Sequence, residues 1–186
     1  TVRGEDFQQV CMNSAPLGFT TALGRNWEPW MAFREIASNC RDENGAYCYG
    51  EVQPIDGCTT IHVNGLDDAF AERHKILLET TPIFSNEFID IHPSGISSFV
   101  YYRGVRIYTP SRSTAHTYNI KRQIDLTEDR TAKYSFQVHD AIISGILSCG
   151  DENIIRAALD CGQECLEHFL DFDSHVPASD AFVAVG

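Results

Sequence analysis

The sequence predicts an α/β fold, a mixed, twisted sheet of about five strands surrounded by helices. Three observations lead there. The stretch 59–108 runs from strand formers through Asn64-Gly65 into a helical pattern at Asp67, then returns to two β-rich runs, 99–102 and 105–108, around Arg103-Gly104. Residues 118–126 read as a further strand, with Ile120, Ile124 and Leu126 on one side. Two helical patterns follow, over 136–148 and 151–169.

In chain order, residues 5–23 read as a first helix. Glu5 and Asp6 sit at its positive end, Phe7, Val10, Cys11 and Leu17 form an apolar stripe, and Pro16 and Gly18 bend or divide it. After a turn at 26–29, a second helix over 30–40 carries Trp30, Phe33, Ile36 and Ala37 at helical spacing. Beyond the polar turn 42–45, residues 46–52 and 58–63 look like two strands joined through Pro54 and Ile55-Asp56-Gly57. The helix from Asp67 extends to about Thr80 and stops at Thr81, the position before a proline. Phe88-Ile89-Asp90-Ile91 alternates like a strand until Pro93 and Gly95 end it, and 109–117 is a polar loop. The helix 151–169 starts on Asp151-Glu152 and carries a long apolar stripe that includes Ile154, Ile155, Ala158, Cys161, Cys165 and Phe169. One domain over 1–171 is expected, with 172–186 as a linker or flexible C-terminal tail.

Composition bounds the function. With 186 residues, 43% of them hydrophobic, the chain can bury a full core. No apolar run approaches the roughly 20 residues that span a bilayer, and the first ten residues lack the apolar centre of a signal peptide, so an intracellular location without membrane contact is expected. Seven cysteines, an odd number with no CxxC pair, resemble neither a disulfide framework nor a zinc site. Cys161 and Cys165 are spaced to share one face of a helix as small apolar side chains. A net charge of −12 opposes phosphate backbones unless basic groups gather locally. Arg103, Arg106, Arg112, Lys121 and Arg122 are the one such gathering, read either as a solvated face or as an RNA-binding rim beside a pocket. No GxSxG, P-loop, HExxH or GxGxxG is present.

Several runs resemble a known family. Glu5-Asp6-Phe7 with Cys11 and Asn13 is similar to the opening of the endonuclease domain of the influenza-like orthomyxovirus polymerase acidic subunit. Val63-Asn64-Gly65-Leu66-Asp67 followed by Arg73-His74-Lys75 resembles that domain's strand-to-helix passage. Val105-Arg106-Ile107-Tyr108 resembles its hairpin strand, and residues 126–134 the turn after it. The resemblance implies a PD-(D/E)xK nuclease-like fold and a role in viral transcription, where the family's domain cuts capped host transcripts into primers. It also implies the other subunits of the viral polymerase heterotrimer as partners, RNA as a further one, and the host nucleus as location.

The family's ligands are a helical His, a strand-end Glu, an Asp after Pro, a second Glu and a nearby Lys. Paired Mn²⁺ or Mg²⁺ ions need such hard oxygen ligands, because several carboxylates must offset the ions' mutual repulsion. Carried over by position, these fall on Asn39, Asn64, Asn86, Ser97 and Arg112. The three acids are thereby replaced by amides and a hydroxyl. At an effective dielectric of about 20 each lost carboxylate removes several kcal/mol of attraction for a divalent ion, so a degenerate, inactive pocket with no cofactor is expected. The alternative is an active endonuclease whose Mn²⁺ or Mg²⁺ ligands have moved to Asp67, Asp68, Asp90 and His92, with His62 and Lys75 nearby in sequence. Against it, acids at a helix start and single histidines are ordinary scaffold.

Overall fold

The strand Thr117–Ile120 is buried at all four residues, and a five-stranded sheet is built around it. The structure, a computed structural model, describes residues 9–12, 15–20, 27–173 and 177–185. The chain divides into two units, Thr1–Ile76 and Leu77–Gly186.

In the first unit, β1 (Gln9–Met12) and β2 (Ala15–Thr20) pair antiparallel. This corrects the helix expected over 5–23 for the part that is described; Glu5, Asp6 and Phe7 lie outside the described residues. Pro16 lacks the N–H that a helix interior needs and Gly18 weakens a helix by about 1 kcal/mol, whereas a two-stranded pair leaves one edge of each strand open and tolerates both. Helix α1 (Pro29–Asp42) forms as expected, with proline at its first turn and Arg41 in its last. It buries Phe33 and Ala37, and the Phe33 ring meets Phe70 edge-on with centroids 5.9 Å apart. Helix α2 (Asp67–Ala71) is shorter than the helix expected to Thr80, and a single 3₁₀ turn, Arg73–Lys75, follows it. Ile76, Leu77 and Leu78 are all buried, and three consecutive apolar residues cannot face one side of a helix. The strands expected at 46–52 and 58–63 are absent. That stretch is irregular around a turn at 56–57, with Tyr49, Ile55 and Ile61 exposed, because a lone hairpin without a covered face is at best marginally stable.

The second unit holds the mixed sheet, ordered β3 (Phe84–Ser85), β4 (Ile89–His92), β7 (Thr117–Ile120), β5 (Val100–Tyr102), β6 (Val105–Tyr108). The central strand β7 runs antiparallel to β4 and parallel to β5. The β5–β6 hairpin turns through Arg103 at φ 50° and Gly104 at φ 80°, the two left-handed positions of a tight two-residue hairpin. Leu77 bridges to Val105, and the Leu78 amide donates to the Gly104 carbonyl. The strand expected over 118–126 ends at Ile120.

Helices α3 (Ser135–Leu147) and α4 (Glu152–Leu159) supply the apolar cover. The Asp151 side chain caps α4 by accepting from the Asn153 amide at 2.8 Å. Ile89, Ile91, Val100, Ile107, Tyr118 and Ile120 of the sheet form one core with Val138, Ile142, Ile146, Ile154 and Ile155 of the helices. Each fully buried isoleucine there contributes roughly 1.5–3 kcal/mol. The helix expected over 151–169 ends at Leu159, where Asp160 and the turn through Gly162 interrupt it; a 3₁₀ turn, Glu167–Phe169, follows. Cys161 and Cys165 therefore do not share a helix face. The stretch expected as a tail carries α5 (Asp180–Val185), which packs on α4, and Phe182 lies 5.7 Å from Phe172 between ring centroids. No described helix is long and apolar enough to cross a membrane.

Gly145 marks where α3 sits closest to the sheet. A Cβ there would lie 2.7 Å from Ile89 Cγ2, a branch of a side chain with no exposed surface. Gly145→Ala should therefore destabilise the fold by about 1–3 kcal/mol in urea titration, although alanine adds roughly 1 kcal/mol of helix propensity. Stabilisation instead would show that α3 is free to move off β4.

Candidate functional site

Alternation along β4 and β7 sends Ile89, Ile91, Tyr118 and Ile120 to the helix-covered face and Asp90, His92, Thr117 and Asn119 to the other. On that second face Asp90 is the hub. Its Oδ1 accepts from Lys121 Nζ at 2.8 Å and from Ser85 Oγ at 2.6 Å, and its Oδ2 accepts from Asn119 Nδ2 at 2.9 Å. Asn119 Oδ1 accepts the Gly104 amide at 2.7 Å, which ties the cluster to the hairpin turn. Burial alone would raise the Asp90 carboxyl, but the donors Lys121, Ser85 and Asn119 outweigh it and hold the group below its ordinary value. His92 shares this face two residues on. Its Nδ1 lies 2.9 Å from Thr80 Oγ1, and burial pushes the ring below the usual histidine range against the charge of Asp90.

The positions inherited from the family pattern fall on both units. Asn39 is exposed on α1 and Asn64 lies exposed in the irregular stretch before α2. In the second unit Asn86 organises the β3–β4 turn. Its Oδ1 accepts from the Phe88 and Ile89 amides at 2.8 and 2.9 Å, and its Nδ2 donates to Ser148 Oγ. Ser97 Oγ accepts from the Phe99 amide and from Tyr101 OH, while its backbone exchanges two bonds with Thr117 Oγ1. Arg112 donates to the Gln163 carbonyl at 2.6 Å and lies over the Phe169 ring. These last three side chains are occupied in holding the backbone.

Of the relocated ligands, Asp90 and His92 share one strand face, whereas Asp67, Asp68, His62 and Lys75 belong to the first unit. Asp67 accepts from Tyr49 OH at 2.8 Å, Lys75 pairs with Glu72 at 2.7 Å, and all of these residues are exposed. The basic set is dispersed in its partners. Arg106 stacks 3.6 Å from the Phe99 centroid, Arg103 lies over Tyr102, Lys121 serves Asp90, and Arg122 reaches the Gln137 carbonyl and Asp140 on α3.

A second polar cluster has no signature in the sequence. Tyr118 crosses to the helix side, and its OH donates to Glu167 Oε1 at 2.7 Å; the Ala115 amide donates to the same oxygen at 2.9 Å. Glu167 is 1% exposed, and its Oε2 is buried with no hydrogen-bond partner. The thiols of Cys161 and Cys165 and a Glu167 carboxylate oxygen lie within 4.8 Å of one another. Burial first, then the neighbouring Glu167 and Cys165, push the Cys161 thiol up to about 12. Glu167 was hidden because it falls between Leu166 and Phe169 in what reads as a continuous apolar stripe. Asn119 left a signal, an amide inside a strand of β formers, a residue type that strands avoid unless it has a partner.

Lys121→Met should cost about 1–3 kcal/mol at neutral pH, measured by urea unfolding, since it strips the cation from a largely buried carboxylate. Because the folded-state value of Asp90 is depressed, its contribution is complete above the unfolded carboxylate range and fades as pH falls through the folded value. The gap between wild type and variant should thus close in acid. A gap that stays constant to low pH would rule out the ion pair as its cause.

No protein-family model matches the chain, and no curated protein or solved structure matches it either.

Proposed function

We infer that the chain is a PD-(D/E)xK-like module of a viral RNA-dependent RNA polymerase, kin to the endonuclease domain of the orthomyxovirus polymerase acidic subunit, that no longer cuts RNA. It works in the host nucleus by joining the other subunits of the heterotrimer during transcription. The observation that carries this reading is the state of Asp90. The acid best placed to start a metal site on the sheet face away from α3 and α4 is already neutralised by Lys121 and saturated by Ser85 and Asn119. A divalent ion would have to displace that ammonium and then find further carboxylates, and the inherited positions Asn86 and Ser97 supply none.

A protein partner is favoured over RNA. The chain carries −12, and the basic side chains Arg106, Arg112, Lys121 and Arg122 are spent on rings, carbonyls and acids of their own unit. The second reading, an Mn²⁺- or Mg²⁺-dependent endonuclease with relocated ligands, rests on Asp90 and His92 sharing one face of β4.

Thermal unfolding with and without millimolar Mn²⁺, paired with incubation on single-stranded RNA, separates the two. No shift in Tm and no cleavage are expected. A rise of several degrees that Asp90→Ala abolishes, with RNA cut, would establish the active enzyme instead.

A further inference from the structure

We propose that Cys161, Cys165 and Glu167 form a binding site for a zinc-class divalent cation, with solvent supplying the fourth ligand. The site is built by three separate pieces of backbone. The chain leaving α4 turns so that the Cys165 amide donates to the Gly162 carbonyl, and Cys165 then pairs with Ser113 while the Leu166 amide donates to the Ser113 carbonyl. The 3₁₀ turn starting at Glu167 brings a carboxylate oxygen within 4.8 Å of both thiols, and β7 fixes that carboxylate through Tyr118 OH.

Two independent features point to a ligand. The first is geometric. Tetrahedral zinc with bonds of about 2.3 Å to sulfur holds its ligand atoms roughly 3.8 Å apart, so atoms that all lie within 4.8 Å need to close by no more than about 1 Å. The second is the orphan Oε2 of Glu167. Tyr118 and Ala115 satisfy Oε1 alone, so a carboxyl that is 1% exposed keeps one oxygen without a partner. Leaving such an atom unpaired costs several kcal/mol, and a cation at the thiols would satisfy it.

The donor chemistry selects the ion. Two thiolates with one carboxylate suit Zn²⁺, whereas Mn²⁺ and Mg²⁺ want oxygen ligands throughout. On binding, each thiol releases its proton to solvent: Cys161 gives up its bond to the Ala158 carbonyl, and Cys165 its contact with Ser113 Oγ. The bound ion would staple the segment after α4 onto itself, and Glu167 would carry that staple to Ala115 and the central strand through the hydrogen bonds already in place. This inference is independent of the polymerase reading, since none of its residues belongs to the inherited nuclease positions.

The test uses the full chain, stripped of metal and kept reduced. Zn²⁺ is titrated against a chromophoric chelator, and Co²⁺ is added separately as a spectroscopic probe. One ion per chain and thiolate-to-Co²⁺ charge-transfer absorption are expected. Cys161→Ser and Cys165→Ser should each weaken binding by more than the roughly 10–100-fold loss that a merely supporting residue causes. Glu167→Gln retains an oxygen for Tyr118 and Ala115 yet removes the anion, so it should fold and still lose affinity. Cys48→Ser and Cys58→Ser, at exposed thiols of the first unit, should leave binding unchanged. In wild-type protein Zn²⁺ should slow alkylation of Cys161 and Cys165 but not of Cys48 and Cys58. Equal alkylation rates with and without Zn²⁺ would overturn the proposal, as would metal uptake that survives both cysteine substitutions.

Discussion

A strand buried on both faces must find an internal partner for every polar atom it carries, and β7 is such a strand. Its four residues, Thr117-Tyr118-Asn119-Ile120, alternate between two environments. Tyr118 and Ile120 enter the core under α3 and α4, whereas Thr117 and Asn119 point to the opposite face of the sheet, where they are buried as well. Each polar tip has been matched: Thr117 with Ser97, Asn119 with Asp90 and the Gly104 amide, Tyr118 with Glu167. The two polar clusters of the second unit are thus the two ends of one requirement. On one side it gathers Asp90 and Lys121, on the other Glu167 and the free thiols of Cys161 and Cys165.

That requirement also explains why the two clusters differ in character. The Asp90 carboxylate is closed, since it receives an ammonium, a hydroxyl and an amide, while on the same face His92 keeps its buried Nε2 without a partner. The Glu167 carboxylate is not closed, because only half of it is used. A network with every member satisfied stiffens a fold, while a buried polar atom left without a partner is costly. The Asp90 carboxylate accordingly serves as scaffold, and Glu167 beside the thiols is the carboxylate with an oxygen left for a ligand.

Much of the second unit was legible in the sequence because local signals and packing agree there. Arg103-Gly104 between two β-rich runs marks a tight hairpin, Ile89-Asp90-Ile91-His92 has a two-residue period, and Asp151 announces the start of α4. The first unit was less legible. A helical stripe over 5–23 met Pro16 and Gly18, and pairing between strands won over the described part. Strand formers at 46–63 had no sheet to join, so their propensity went unexpressed. The 67–80 helix lost its second half to burial of Ile76, Leu77 and Leu78, a tertiary demand that helical periodicity does not record. Within the candidate site, Asp90 and His92 were found from the sequence, but Lys121 was read as part of a basic surface rather than as the acid's own counter-ion. Cys161 and Cys165 were assigned to a helix that ends at Leu159, so their meeting with Glu167 depended on a turn whose geometry spacing alone does not reveal.

The central claim is that the sheet face turned away from α3 and α4 has no place for a divalent ion, because Lys121 already fills the position beside Asp90. Paramagnetic line broadening by Mn²⁺, followed residue by residue in amide NMR spectra, tests it most directly. The account predicts that Asp90, His92, Thr117 and Asn119 broaden no more than exposed acidic residues elsewhere. Selective loss of those four signals at low Mn²⁺, prevented by excess Mg²⁺, would contradict it.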